Sequence, residues 1–169
     1  MPQLPLRIAI LECDTPMDPV RAKYGDYGDI FTALLKAGAD ALEYPGLSSS
    51  AGLIISSFDV VTKQEYPSLG DIDAILITGS KHDSFLDLPW ILKLVKFTEE
   101  VLQQRRVRII GVCFGHQIVG RAMGAKVGRS EDGWETSVTA IDLTKRGQEI
   151  FGTTALASPH FELRKRQFC

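Results

Sequence analysis

Cys113 stands in Gly111-Val112-Cys113-Phe114-Gly115-His116-Gln117, between the apolar run Val107-Arg108-Ile109-Ile110 and the helix-like Ile118-Val119-Gly120-Arg121-Ala122-Met123. A cysteine held at a strand-to-helix corner by flanking glycines is forced into a tight, strained turn that lifts its side chain out of the sheet toward the start of the helix. There the unpaired N–H groups and the positive helix end favour a thiolate, and they also favour the oxyanion formed when it attacks a carbonyl. The pattern supplies a nucleophile and half of an oxyanion hole. A small apolar residue ending a buried strand would be the commoner fate of a cysteine, but it gives the two glycines no purpose.

Other chemistries that use glycine or cysteine fit less well. No G-x-G-x-x-G follows a strand and no G-x-x-x-x-G-K-[ST] is present, so neither dinucleotide nor P-loop binding is expected. Cys113 with His116 would make two metal ligands without further Cys or His at zinc-like spacing, so no metal and no cofactor is expected. His82 follows a loop and is expected to be exposed, and His116, three residues after Cys113, is expected on the helix beside the corner.

The elements that must position this corner alternate between strand and helix. Leu6 to Leu11 reads as a short, nearly apolar strand of the kind buried on both faces of a parallel sheet, and it is expected to sit centrally. A polar, proline-punctuated loop, Glu12 to Pro19, comes next, and then a helix capped by Asp26 or Asp29, carrying Ile30, Phe31, Leu34 and Leu35, and closed at Gly38. Ala41 to Tyr44 and Leu53 to Val61 are weaker strand candidates. Ala74 to Ile77 is a clear buried strand ending at Thr78-Gly79-Ser80-Lys81-His82-Asp83, and open α/β sheets place ligands in such loops. Pro89 starts an amphipathic helix with Ile91, Leu94, Val95, Val101 and Leu102 on one face. The strand Val107 to Val112, the corner, and a helix to Met123 closed by Gly124 complete the alternation. Trp134 to Leu143 alternates as an antiparallel or edge strand would, Thr144 to Phe151 could form one or two helical turns, and residues 153–169 carry no convincing strand and read as a divergent tail.

The expected fold is an α/β three-layer sandwich around a mostly parallel sheet, flavodoxin-like in build, with the site at the carboxyl ends of the strands. With 169 residues, 44% of them apolar and 24% charged, one domain over 1–169 has enough material for a core. A net charge of −2 and a pI near 5.9 provide no basic field for nucleic acid or an anionic membrane, so small-molecule or protein partners are favoured. Cys13, Cys113 and Cys169 are an odd number at wide spacing, which argues for free thiols in a reducing, cytoplasmic setting.

The corner 111–117, together with Ile77-Thr78-Gly79-Ser80, resembles the class I (triad-type) glutamine amidotransferase domain, and within it the stand-alone, GMP-synthase-like proteins of fungi. The likeness takes in Glu12 to Pro16, Tyr24 to Gly28, Gly124 to Ser130 and Gly133-Trp134-Glu135. It implies that Cys113 attacks the side-chain amide of glutamine to give a γ-glutamyl thioester and ammonia, which a synthetase partner receives or which is simply released. It implies an oxyanion hole from the N–H of Phe114 and the Gly79-Ser80 loop, and a substrate-seating role for Gln117. A γ-glutamyl peptide in place of glutamine, a glutamine-binding module without turnover, and a role in a biosynthetic pathway are compatible with the same residues. The resemblance also implies a late His-x-Glu pair as base and orienter. Only His160-Phe161-Glu162 has that spacing, and it follows Cys113 too closely for the chain to return to the sheet. The expectation is therefore that the domain is incomplete here, with the matching segment missing.

Overall fold

The computed structural model describes residues 4–129 and 139–158. The chain divides after Val127 into two compact units. The first contains β1 (Leu6–Glu12), α1 (Asp18–Tyr24), α2 (Tyr27–Ala41), β2 (Leu53–Asp59), β3 (Ala74–Ile77), α3 (Pro89–Gln104), β4 (Arg108–Gly111) and α4 (Phe114–Ala122). Its four strands are all parallel, in the order β2-β1-β3-β4. β1 is interior, with Ile8 to Leu11 registered against Ala74 to Ile77 on one side and Ile55 to Phe58 on the other.

Strand alternation divides the core between two faces. Ala9 and Leu11 of β1, with Ile75 and Ile77 of β3, join Ile91, Leu94 and Val101 of α3 and Phe114 and Ile118 of α4 in one buried cluster. Ile8, Ile10 and Leu76 are buried outside that cluster, on the opposite face. α2 packs on β1 and β2, whereas α3 packs on α4. From β1 the chain goes outward to β2 on one side, and from β3 outward to β4 on the other. Right-handed crossovers in these opposite directions put α2 on one face and α3 on the other. The result is a three-layer α/β arrangement, as expected. At the ends away from the site, Arg7 and Arg106 both pair with Asp73, at 2.7 and 3.4 Å. Hydrogen bonds from Arg7 hold the Asp73 carboxyl down at about 2.

Several local expectations are corrected. Ala41 to Tyr44 is not a strand: α2 continues through Gly38 to Ala41, with the Leu42 N–H donating to the Gly38 carbonyl at 3.1 Å. The left-handed residue that Gly38 was expected to provide is instead Glu43, at φ 48°. The continuing apolar face, with Ala39 buried, outweighs the roughly 1 kcal/mol that a mid-helix glycine costs. The loop expected through Pro19 ends earlier, because Pro19 fits the first turn of α1, where the Met17 carbonyl accepts from the N–H groups of Val20 and Arg21. Val107 precedes β4 rather than starting it.

In the second unit, β5 (Thr139–Asp142) and β6 (Ala155–Ser158) pair antiparallel around α5 (Lys145–Phe151). The described part of the 134–143 segment is thus an antiparallel strand, as its alternation predicts. Ala155–Ser158 is a strand that its own residues do not announce, since its hydrogen-bond partners come from β5. Residues 159–169, with His160, Glu162 and Cys169, lie outside the described residues.

Candidate active site

Cys113 is the N-cap of α4 at φ 51°, ψ −106°, a backbone conformation that non-glycine residues rarely adopt. Holding it there costs on the order of 1–3 kcal/mol, which the surrounding packing must supply. That packing is set by Gly111 and Gly115. A Cβ on Gly111 would come within 2.6 Å of the His116 backbone nitrogen, and one on Gly115 would lie 2.8 Å from the Ile77 carbonyl carbon and closer still to its oxygen. Only hydrogen at these two positions lets α4 start directly against the ends of β3 and β4. The Gly115 N–H donates to the Val112 carbonyl at 2.9 Å and the Gln117 N–H to the Cys113 carbonyl at 3.1 Å, closing the turn around the cysteine.

The side chain of Cys113 is exposed. Cys13, at the end of β1, is fully buried, and burial pushes its thiol up to about 12. A thiol that ionises so high in a core is chemically inert at neutral pH. Brief iodoacetamide treatment of the folded protein at pH 7.5 is therefore expected to label Cys113 at least a hundredfold faster than Cys13, read by peptide mass mapping; labelling at equal rates would contradict the assignment of the reactive corner.

The loop after β3 lies beside this corner. A Cβ on Gly79 would sit 3.7 Å from the Cβ of Cys113. The loop is held by the buried Thr78, whose N–H donates to the Leu11 carbonyl at 3.1 Å and whose Oγ1 accepts from the Cys13 N–H at 2.9 Å. The Ser80 hydroxyl accepts from the His82 N–H at 3.1 Å, which tightens the turn. The Phe114 ring is core, stacked on Trp90 with centroids 5.6 Å apart. What Phe114 offers the corner is its backbone N–H, in the first helical turn, where no intrahelical acceptor exists. Gln117 is half-buried, and its Oε1 accepts from the buried Ser84 hydroxyl at 2.7 Å. Arg121 of α4 donates to the Ser84 and Leu86 carbonyls at 2.9 and 3.0 Å, fastening the 80s loop to the nucleophile's helix. His82 is not the exposed residue expected: it is half-buried, edge-on to Trp90 with centroids 5.4 Å apart.

An open cleft of about 550 Å³ lies between the loops that follow β1 and β3, lined by Asp14 to Asp18, Tyr27 and Gly79 to Lys81. It sits at the switch point of the sheet, where the chain leaves in opposite directions from neighbouring parallel strands and open α/β folds bind ligands. Asp14 is the fixed point of the cleft. Its carboxylate accepts from the Lys81 N–H at 2.7 Å, the Thr15 N–H at 2.8 Å and Lys81 Nζ at 2.8 Å. Burial pushes its carboxyl up, but these donors outweigh burial and its pKa is lowered. Burial also raises Tyr27, followed by the charge of Asp14; Lys81 pulls the other way and Cys113 adds to the rise, so one phenol is within electrostatic reach of all three groups. Asp14, Tyr27 and Lys81 received no role from the sequence. The signal available was their position in segments following β1 and β3.

Among the described residues no group of His, Cys, Asp or Glu could hold a metal ion, and no helix is long and apolar enough to cross a membrane.

The family described as Glutamine amidotransferase class-I matches residues 46–158, a stretch that includes both Gly79 and Cys113. The chain is 41% identical over 150 residues to a glutamine amidotransferase-like protein of Schizosaccharomyces pombe, covering 86% of this chain and 58% of that one. It is 29% identical over 143 residues to gamma-glutamyl peptidase 3 of Arabidopsis thaliana, covering 83% of this chain and 51% of that one. The crystal structure of a glutamine amidotransferase from Thermotoga maritima superposes with a TM-score of 0.63 at 14% identity, over 89% of this chain and 57% of that one, a likeness of fold. The chain thus spans about half the length of the relatives it matches. On the match across two thirds of its residues, the chain belongs to the class I glutamine amidotransferase family.

Proposed function

We propose that the protein cleaves the side-chain amide of glutamine or of a γ-glutamyl compound through a thioester on Cys113. The observation that carries this reading is the exposed cysteine at φ 51° on the first turn of α4, beside Gly79. The Cys113 thiolate forms a bond to the amide carbonyl carbon, and the carbonyl oxygen takes the negative charge. In this reading the Phe114 N–H and the Gly79-Ser80 loop receive that oxyanion. The carbon–nitrogen bond then breaks, the nitrogen leaves with a proton as ammonia or an amine, and water attacks the thioester to return the thiol and release the acid. Gln117, fixed by Ser84, seats the substrate.

The proton transfers need a base, and His160-Phe161-Glu162 lies outside the described residues. Release of ammonia to a synthetase, a place beside the stand-alone GMP-synthase-like proteins, a biosynthetic role and a cytoplasmic setting belong to the same proposal. The γ-glutamyl peptide reading draws support from relatives named gamma-glutamyl peptidases.

Acid-quenching the protein during incubation with glutamine or a γ-glutamyl dipeptide tests the chemistry. The expected result is a hydroxylamine-sensitive γ-glutamyl adduct on the tryptic peptide that carries Cys113. Steady turnover with the adduct on another residue, or no turnover of either compound, would overturn it.

A further inference from the structure

The helix α2 is apolar on two sides, and the fold uses one of them. It packs on β1 and β2 through the side that holds Gly28 and Ala39, its two buried residues. Away from the sheet, Leu34 is 61% exposed and Leu42, the capping residue, is 69% exposed, and Ala37, Gly38 and Ala41 are exposed as well. Leu42 keeps right-handed helical angles, φ −76° and ψ −18°, so this face continues through it. At about 3.6 residues per turn, Ala37 and Ala41 run down the middle of the face. Leu34, Gly38 and Leu42 lie along one flank, and the exposed Lys36 and Asp40 along the other. An apolar strip of this kind, open to water and edged by charge, marks a surface that meets another protein.

The face is its own complement about Gly38. Leu34 and Leu42 stand equally far from Gly38 on either side, and so do Lys36 and Asp40. A two-fold axis beside Gly38, perpendicular to two antiparallel copies of α2, sets each residue level with its counterpart across that glycine. Leu34 then meets Leu42 of the second copy on one flank, and Lys36 meets its Asp40 on the other, each pair occurring twice. A parallel pairing would instead set Lys36 against Lys36 and Asp40 against Asp40. The small side chains of Ala37, Gly38 and Ala41 let the helix axes approach to about 8 Å, a separation that a lysine spans to reach a carboxylate. Asp40 is fixed for this: its Oδ1 accepts from the Ser49 N–H at 2.6 Å, and hydrogen bonds from Ser49 hold its carboxyl below the usual range. Exposed ion pairs add little affinity, so the leucines and alanines supply the attraction while the charges set direction and register.

We infer that the outer face of α2 is the contact between two copies of this chain, an antiparallel helix pair centred on Gly38 with Lys36 of each copy against Asp40 of the other. The inference is independent of the thioester reading. A single helix pair buries less than the roughly 800 Å² per partner of a standard interface, so the dimer is weak, half-associated at about 10–100 μM.

Sedimentation equilibrium of the full chain at low salt tests this, with a concentration series of the wild type, Lys36→Glu, Asp40→Lys and an equimolar mixture of the two variants. The wild type is expected to dimerise. Each variant alone sets like charges face to face and is expected to associate at least tenfold more weakly, or about 1.4 kcal/mol. The mixture is expected to recover the wild-type association. In the mixed pair the new glutamate of one chain faces the new lysine of the other, and the unaltered Asp40 and Lys36 face each other. Such recovery requires contact between these two positions in different molecules, which damage to the monomer would not produce. Asp40→Lys gives up the Ser49 hydrogen bond, so melting curves accompany it. Leu34→Glu, at a largely exposed position, supplies a second dissociating variant that leaves that bond intact. A wild type that stays monomeric at about ten times the expected midpoint would overturn the inference. So would a dimer indifferent to both Lys36→Glu and Leu34→Glu, which would have its contact on another face, or a mixture of folded variants no more associated than its components.

Discussion

Cys113→Ala is expected to lower release of ammonia from glutamine, and of amine from a γ-glutamyl dipeptide, by at least a thousandfold, with substrate affinity nearly unchanged. The size follows from the role. Removing a covalent nucleophile removes the pathway rather than one contribution to it, and the residual rate rests on the oxyanion donors and binding alone. The fold has no comparable stake in the side chain, which is exposed. The variant should therefore melt within a degree or two of the wild type. Backbone strain at φ 51° adds a second readout: Cys113→Gly is expected to be more stable than Cys113→Ala by about 1 kcal/mol, because glycine adopts that conformation without a Cβ penalty. A Cys113→Ala rate within tenfold of wild type, in folded protein, would remove Cys113 from the chemistry. Equal stability of the alanine and glycine variants would remove the strain.

Gly115→Ala is expected to be the most damaging conservative substitution in the first unit. Its new methyl group would lie 2.8 Å from the Ile77 carbonyl carbon and against the Ile77 oxygen. Those are backbone atoms of an interior strand, and they cannot rotate away. Either α4 lifts from β3 or the end of β3 bends, and both cost roughly 3 kcal/mol. Both also move Cys113 relative to Gly79, so iodoacetamide labelling and turnover should fall even where the variant stays folded. Gly38→Ala is the matched control. Nothing lies within 4 Å of a Cβ built there, inside α2, so the added methyl should stabilise by about 0.5–1 kcal/mol. Denaturant melts of the two variants in parallel should therefore move in opposite directions. A Gly115→Ala variant as stable as wild type would show that the corner does not need close backbone approach.

Much of the fold was legible because its signals are local. The apolar runs of β1 and β3, Pro89 at the start of α3, and the glycine-flanked corner each combine a residue type with a backbone requirement that few other arrangements satisfy. The errors occurred where local signals competed. Gly38 has the composition of a helix end, yet the helix carries on through it because Ala39 finds burial and Leu42 finds a carbonyl. Ala155–Ser158 has no strand signal of its own and becomes a strand by pairing with β5.

The sequence by itself determined that a cysteine would stand at a strand-to-helix corner, because the glycines at 111 and 115 restrict the backbone whatever surrounds them. Tertiary structure alone decided which groups share that corner. Parallel pairing of β1 with β3 brings Asp14 against Lys81, and the switch in direction between those strands opens the cleft they line. It also decided that Cys13 is inert while Cys113 meets solvent. Hydrophobic periodicity specifies which residues turn inward, but contacts between segments distant in the chain depend on register and crossover direction, which no single segment carries.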